Sequence, residues 1–223
     1  MEGFVPVFLD VLPKLIPGAG TTLLLTVCGV GCGIIIGLLM ALMKMGKNRV
    51  LRFIANVYIE TLRGTPLYVQ IFLWHFGVAS IIGDLFFGGK FSFPLLVTGV
   101  VVLSLNSGAY VAEIFRAGIQ GVDKGQLEAA RSLGMSHREA MRHVILPQAF
   151  KLVIPPLGNQ FINLVKNSSV LAFVAGFDLM YQGNLIANDT LATMPTYFIV
   201  GIMYLIITLP LSYYMRHLEK KLA

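Results

Sequence analysis

The stretch TTLLLTVCGVGCGIIIGLLMALM, residues 21–43, runs for 23 positions without a formal charge. A helix needs roughly 20 predominantly apolar residues to cross the ~30 Å hydrocarbon layer of a bilayer, so this run can span one. Uncharged stretches of similar length follow at 64–83, 91–112 and 192–215, and a fifth around 152–177 holds Lys166 as its one formal charge. Of 223 residues, 56% are apolar and 13% charged, against about a quarter charged in an ordinary soluble domain. The sequence predicts an all-α membrane protein with five transmembrane helices, over about 21–43, 54–83, 91–113, 150–170 and 192–215, in one domain covering 1–223.

Basic residues set the orientation, because short loops rich in Lys and Arg stay in the cytoplasm. Four lie between the first two spans (Lys44, Lys47, Arg49, Arg52). Six lie between the third and fourth (Arg116, Lys124, Arg131, Arg138, Arg142, Lys151), and three follow the last (Arg216, Lys220, Lys221). The opposite loops hold Lys14 and Lys90. The N-terminus is therefore expected outside and the C-terminus in the cytoplasm of a multi-pass cell-membrane protein. The net charge of +6 is this retention signal, and no nucleic-acid partner is inferred from it.

Residues 1–20 carry three prolines and no basic leader, which argues against a cleaved signal peptide and for a short helix on the outer surface. Cys28 and Cys32 share a helix face with no further ligands nearby and read as buried structural thiols. Gly29, Gly33 and Gly37 form a small-residue ridge suited to close helix packing.

No G-x-x-x-x-G-K-S/T loop is present, so ATP is not bound by that route. His75, His137, His143 and His217 are scattered without metal-site spacing, and Ser168 and Ser169 have no evident base. No catalytic or metal site is expected, and the chain is not read as an enzyme.

One segment departs from the apolar background: EAARSLGMSHREAMRHVILP, residues 128–147, within a cytoplasmic loop at about 123–147. Asp123 can cap one short helix and Gly134 can end it; Ser136 and Glu139 form an S-x-x-E capping box for a second, running to Pro147. The first, about ten residues or 15 Å long, needs something to pack on. Its face of Leu127, Ala130 and Gly134, edged by Glu128 and Arg131, could seat in a groove on a partner; the alternative is a solvated amphipathic loop packing on its own bundle.

The segment resembles the EAA loop of membrane subunits of ATP-binding-cassette importers, in Glu128-Ala129-Ala130, Gly134 and Val144-Ile145-Leu146-Pro147, with Val at 144 where that pattern has Ile. YIETLRGTPLYVQIF (58–72), NSGAYVAEIFRAGI (106–119) and LVKNSSVLAF (164–173) resemble the polar amino acid subgroup of glutamine, histidine and arginine type, in order over nearly the whole chain; Ala117 stands where many relatives have Gly. The resemblance implies a type I importer transmembrane domain. It implies a coupling helix docking on an ATPase subunit through Leu127, Glu128, Ala129, Ala130 and Gly134. It also implies a second permease subunit, identical or related, and an extracytoplasmic solute-binding protein. ATP and Mg²⁺ would belong to the ATPase, with no cofactor on this chain.

ETLRGTP, residues 60–66, is the second informative stretch. If span two enters the membrane near Arg52, Arg63 lies roughly 16 Å deep, about halfway across. A charge there costs about 2.5–3.5 kcal/mol, so it faces a polar cavity or a partner charge. Pro66 removes a donor and clashes with the carbonyl of Leu62, which predicts a break beside the charge. Glu60 and Arg63 could neutralise each other, or Arg63 could take a substrate carboxylate and Glu60 an ammonium. Thr65 and Gln70 on span two, Asn106 and Ser107 on span three, and Asn159, Asn163, Lys166 and Ser168 on span four could complete a substrate path; the asparagines could instead bond between helices, and Lys166 could snorkel outward. Glu113 and Arg116 are expected to pair. The competing readings are an ATPase-independent secondary transporter or channel, which would call for inverted repeats, and a membrane scaffold carrying no solute.

Overall fold

The structure, a computed structural model, describes residues 4–89, 91–174 and 176–222; Lys90, placed above in an outer loop, lies outside them. The described residues are helical apart from short connections. The helices are α1 (Phe4–Met45), α2 (Arg49–Gly64), α3 (Leu67–Phe86, wound as a π-helix over Leu73–Val78), α4 (Leu95–Gln120), α5 (Lys124–Ser132), α6 (His137–Val174), α7 (Leu179–Thr190) and α8 (Thr193–Leu222). Among the described residues, α1, α3, α4 and α8 are long and apolar enough to cross a membrane, and α6 with α7, bent by 48°, makes a fifth if counted as one span.

The expected separate outer helix is instead continuous with the first span: α1 runs unbroken through Pro13 and Pro17. An interior proline ordinarily kinks or breaks a helix. Here Val11 and Leu15, 1% and 0% exposed, pack with Leu179, Ile199, Val200 and Met203 from α7 and α8, so burial holds the segment helical. Asp178 caps α7 through the N–H groups of Met180 and Tyr181, and Thr22 of α1 accepts from the N–H of Leu179 at 3.0 Å, tying the two helices together.

The helix expected over 54–83 is divided. Thr65 (φ −113°, ψ 145°) and Pro66 (φ −61°, ψ 138°) are extended between α2 and α3. The charges Arg49, Arg52, Glu60 and Arg63 all fall on α2, leaving the apolar run to α3. The second loop helix, expected to stop at Pro147, continues instead as α6. Met141–Ile145 is wound as a π-helix, with the Leu146 N–H reaching the carbonyl of Met141, and this wider turn makes room for the proline ring.

The ridge of Gly29, Gly33 and Gly37 is the seam between α1 and α4. An added Cβ would lie 3.1 Å from Leu103 Cβ at Gly29, 2.7 Å from Ser107 Oγ at Gly33 and 2.6 Å from Val111 Cγ1 at Gly37. Cys28 is half-buried and Cys32 exposed rather than both buried, since the glycine face is the one turned inward. At Gly37 the backbone nitrogen of Ala112 would also stand 2.9 Å from the new Cβ, and backbone cannot swing aside. Gly37→Leu is therefore expected to cost more than the about 1–3 kcal/mol of ordinary overpacking, read as a lowered Tm of the detergent-solubilised protein. Gly31→Leu, whose Cβ meets nothing within 4 Å, should leave Tm unchanged.

Candidate functional site

The break between α2 and α3 leaves the Leu62 carbonyl without an in-helix donor, because the residue four positions on is Pro66. Gln70 supplies one. Its side-chain nitrogen donates to the Leu62 carbonyl at 2.8 Å, the Thr65 carbonyl at 3.0 Å and Thr65 Oγ1 at 2.9 Å, while the Thr65 hydroxyl donates to the Thr61 carbonyl at 2.7 Å. The oxygen of Gln70 accepts from Asn106 Nδ2 at 3.0 Å. Both residues are buried, 9% and 4% exposed. The structure thus brings Thr65, Gln70 and Asn106 together as a brace across the break, joined to α4.

Arg63, in the last turn of α2, is exposed within this chain, and its guanidinium lies 5.5 Å from the centroid of the Tyr110 ring, in range for a cation–π contact. The two line an open recess of about 470 Å³ with Glu113, Leu152, Pro156 and Gln160. Glu60 does not pair with Arg63 among the described ion pairs: its carboxylate stands 3.9 Å from Lys44 and is 72% exposed. Glu113 pairs with Arg116 at 2.7 Å, as expected, and also with Lys44, joining the C-terminal ends of α1 and α4. Arg63 has no carboxylate partner among the described ion pairs.

On α6, Asn159 and Asn163 are exposed and continue the face of Leu152 and Pro156 that lines the recess. Lys166 is exposed but lines a different recess, of about 450 Å³, with Ser169, Tyr197 and Tyr204. Ser107 is fully buried against Gly33, and Ser168 is fully buried with its hydroxyl donating to the Val165 carbonyl at 2.9 Å, so neither opens on the recess. The sequence reading did not single out Tyr110 or Gln160. Tyr110 lies one turn beyond Asn106, and Gln160 is a polar residue in the apolar run beside Asn159; those were the available signals.

The loop folds as its local chemistry dictates. Asp123 caps α5, its carboxylate accepting from the Gly125 N–H at 2.7 Å. Gly134, at φ +86°, closes α5: its N–H meets the Arg131 carbonyl at 3.0 Å, and that of Met135 meets the Ala130 carbonyl at 3.2 Å. This is a Schellman closure. Ser136 and Glu139 form the reciprocal capping box at the start of α6. Ala130 is 4% exposed, and Leu127 packs with Val122, Met141, Ile145 and Ala149. Of the two readings of this face, Leu127 and Ala130 take the one in which it packs on the chain itself, while Gly134 stays exposed. Glu128, Ala129, Ser132 and Gly134 are exposed, and Leu133, passed over in the sequence reading, is 82% exposed.

Bonds from the Ser136 hydroxyl and N–H hold the Glu139 carboxyl below its usual value. A depressed folded-state pKa contributes stability that is present above the unfolded value, about 4.3, and lost as pH falls through the folded one. Hydrogen exchange at the first turn of α6 should therefore be slower in the wild type than in Glu139→Gln above that value, the difference vanishing on acidification.

Residues 33–223 match the family described as binding-protein-dependent transport system inner membrane component. The chain belongs to that family. As a permease of this family it is a multi-pass inner membrane component of an ATP-binding-cassette importer. It is 42% identical over 218 residues to the probable glutamine ABC transporter permease GlnM of Bacillus subtilis, covering 98% of this chain and 97% of that one. It is 36% identical over 211 residues to the glutamine transport system permease GlnP of Escherichia coli, covering 95% and 94%. A crystal structure of an amino acid ABC transporter with histidines superposes with a TM-score of 0.91 at 41% identity, covering 99% of both chains. An inward-facing structure of the MetNI methionine ABC transporter, at TM-score 0.67 and 16% identity over 100% and 99%, shares the fold. The permease therefore has the all-helical type I importer fold that the resemblance implies.

Proposed function

We propose that this permease imports polar amino acids, glutamine among them, with its N-terminus outside, its C-terminus in the cytoplasm and five crossings, the fifth made by α6 and α7 together. The observation that carries the substrate class is an arginine in the last turn of α2, just before the apolar run of α3, without a carboxylate partner among the described ion pairs and on the wall of an open recess. Its guanidinium fits a carboxylate in a two-pronged way. Glu60 would receive the ammonium, and Asn159, Asn163 and Gln160 would offer uncharged hydrogen bonds to a polar side chain. Lys166, at the separate recess, suits the membrane boundary.

A second permease subunit, identical or related, would close the open side of the recess, and a solute-binding protein would deliver the amino acid from outside. An ATPase subunit, carrying ATP and Mg²⁺, would dock on the exposed side of α5 around Glu128, Ala129, Leu133 and Gly134. Leu127 and Ala130 support that helix from within, seating it on α6 so that motion passes to the spans. The test is uptake into proteoliposomes holding the permease with its ATPase and binding protein, across a panel of labelled amino acids. Glutamine accumulation that requires ATP is the expected result; accumulation indifferent to ATP would contradict it.

A further inference from the structure

The amide of Gln70 has no hydrogen left for a ligand. Both go to carbonyl and hydroxyl oxygens of the α2 terminus, and its oxygen holds Asn106. What those bonds fix is specific. Leu62, held by Gln70, directly precedes Arg63 on α2, and Asn106, holding Gln70, lies one turn before Tyr110 on α4. One side chain on α3 thereby ties a turn of α2 to a turn of α4, and those two turns carry both halves of the Arg63–Tyr110 contact.

We propose that Gln70 is a positioning residue for the recess, aligning Arg63 over Tyr110 through Leu62 and Asn106 without touching the transported solute. The inference rests on reading the recess as the polar site for the amino acid. The Thr65 hydroxyl also holds the end of α2, through the Thr61 carbonyl, but among the described residues the Leu62 carbonyl has its side-chain donor in Gln70, because Pro66 cannot donate. Without Gln70 the Leu62 carbonyl loses its donor, and the last turn of α2 is free to rotate Arg63 away from the ring.

The variants also separate positioning from direct contact. Gln70→Glu keeps an acceptor for Asn106 but sets a carboxylate against three oxygens, so it should be at least as harmful as Gln70→Leu. Asn106→Ala leaves the bonds to Leu62 and Thr65 in place and should be milder. If Gln70 touched the solute, Gln70→Glu would instead shift preference from glutamine toward arginine.

The test is ATP-dependent uptake of labelled glutamine, histidine and arginine by the complete reconstituted assembly, with rates normalised to assembled complex. For Gln70→Leu, the half-saturation concentration is expected to rise about tenfold, the loss of one well-placed hydrogen bond to a charged group. The maximal rate should stay within about twofold, the rise should be similar for every solute the wild type carries, and Asn106→Ala should give a smaller rise. An unchanged half-saturation value, a fall in maximal rate or assembly alone, or a reversal of selectivity in Gln70→Glu would overturn the proposal. Arg63→Ala is run alongside. If it raises the half-saturation value while Gln70→Leu does not, the positioning role alone is refuted; if Arg63→Ala transports as the wild type does, the recess reading falls and the positioning role with it.

Discussion

Gly134→Asp is expected to abolish capture of the ATPase subunit by this permease, and ATP-driven uptake with it, while leaving the membrane bundle folded. Gly134 sits at φ +86°, and a Cβ built there meets nothing within 4 Å. Asp is among the few residues other than glycine that tolerate a left-handed backbone, so the Schellman closure of α5 survives at modest cost. What changes is the exposed surface beside Leu133 and Glu128. On the proposed docking surface, an added carboxylate and a side chain in place of bare backbone would both oppose contact with the ATPase. A pull-down of the ATPase should lose its signal while the Tm of the solubilised permease falls by only a few degrees. Undiminished binding would place the docking surface elsewhere.

Arg63→Ala carries the second large effect. A charge-assisted hydrogen bond to a carboxylate is worth about 1.5–3 kcal/mol, so its loss should raise the half-saturation concentration for uptake by about ten- to a hundredfold. Arg63→Lys keeps the charge but loses the planar fork and its stacking on Tyr110, and should fall between the two. Assembly with the ATPase should be normal in both, because Arg63 lies on α2 and makes none of the contacts that seat α5. Wild-type kinetics in Arg63→Ala would make the arginine a structural residue and move the amino acid site off the recess.

What could be read from the sequence depended on how local its cause was. The break at Thr65–Pro66, the caps at Asp123 and Ser136, the closure at Gly134 and the glycine ridge each follow from a few neighbouring residues, and each is in the structure where the pattern put it. The course of α1 through Pro13 and Pro17 did not follow locally, because burial of Val11 and Leu15 against α7 and α8 overrides the prolines. Which side of α5 faces outward depends on Ile145 and Ala149, which its own periodicity does not contain. Gln70, Thr65 and Asn106 were recognised as polar groups in apolar spans, but their bonds join residues up to 36 positions apart, and that pairing turns a supposed path into a brace. The Glu113–Arg116 pair was legible from its spacing of three, whereas the second partner, Lys44, comes from 69 positions away.

The central claim is that α5 is a rod gripped by a separate motor subunit. A single cysteine at Leu133→Cys, in a Cys28→Ser, Cys32→Ser background, tests it most directly. Maleimide labelling is followed in the permease alone and in the full assembly, with and without ATP. The account predicts rapid labelling of the isolated permease, where Leu133 is open to solvent, and strong protection once the ATPase is bound. Equal labelling in both, through every nucleotide state, would contradict it.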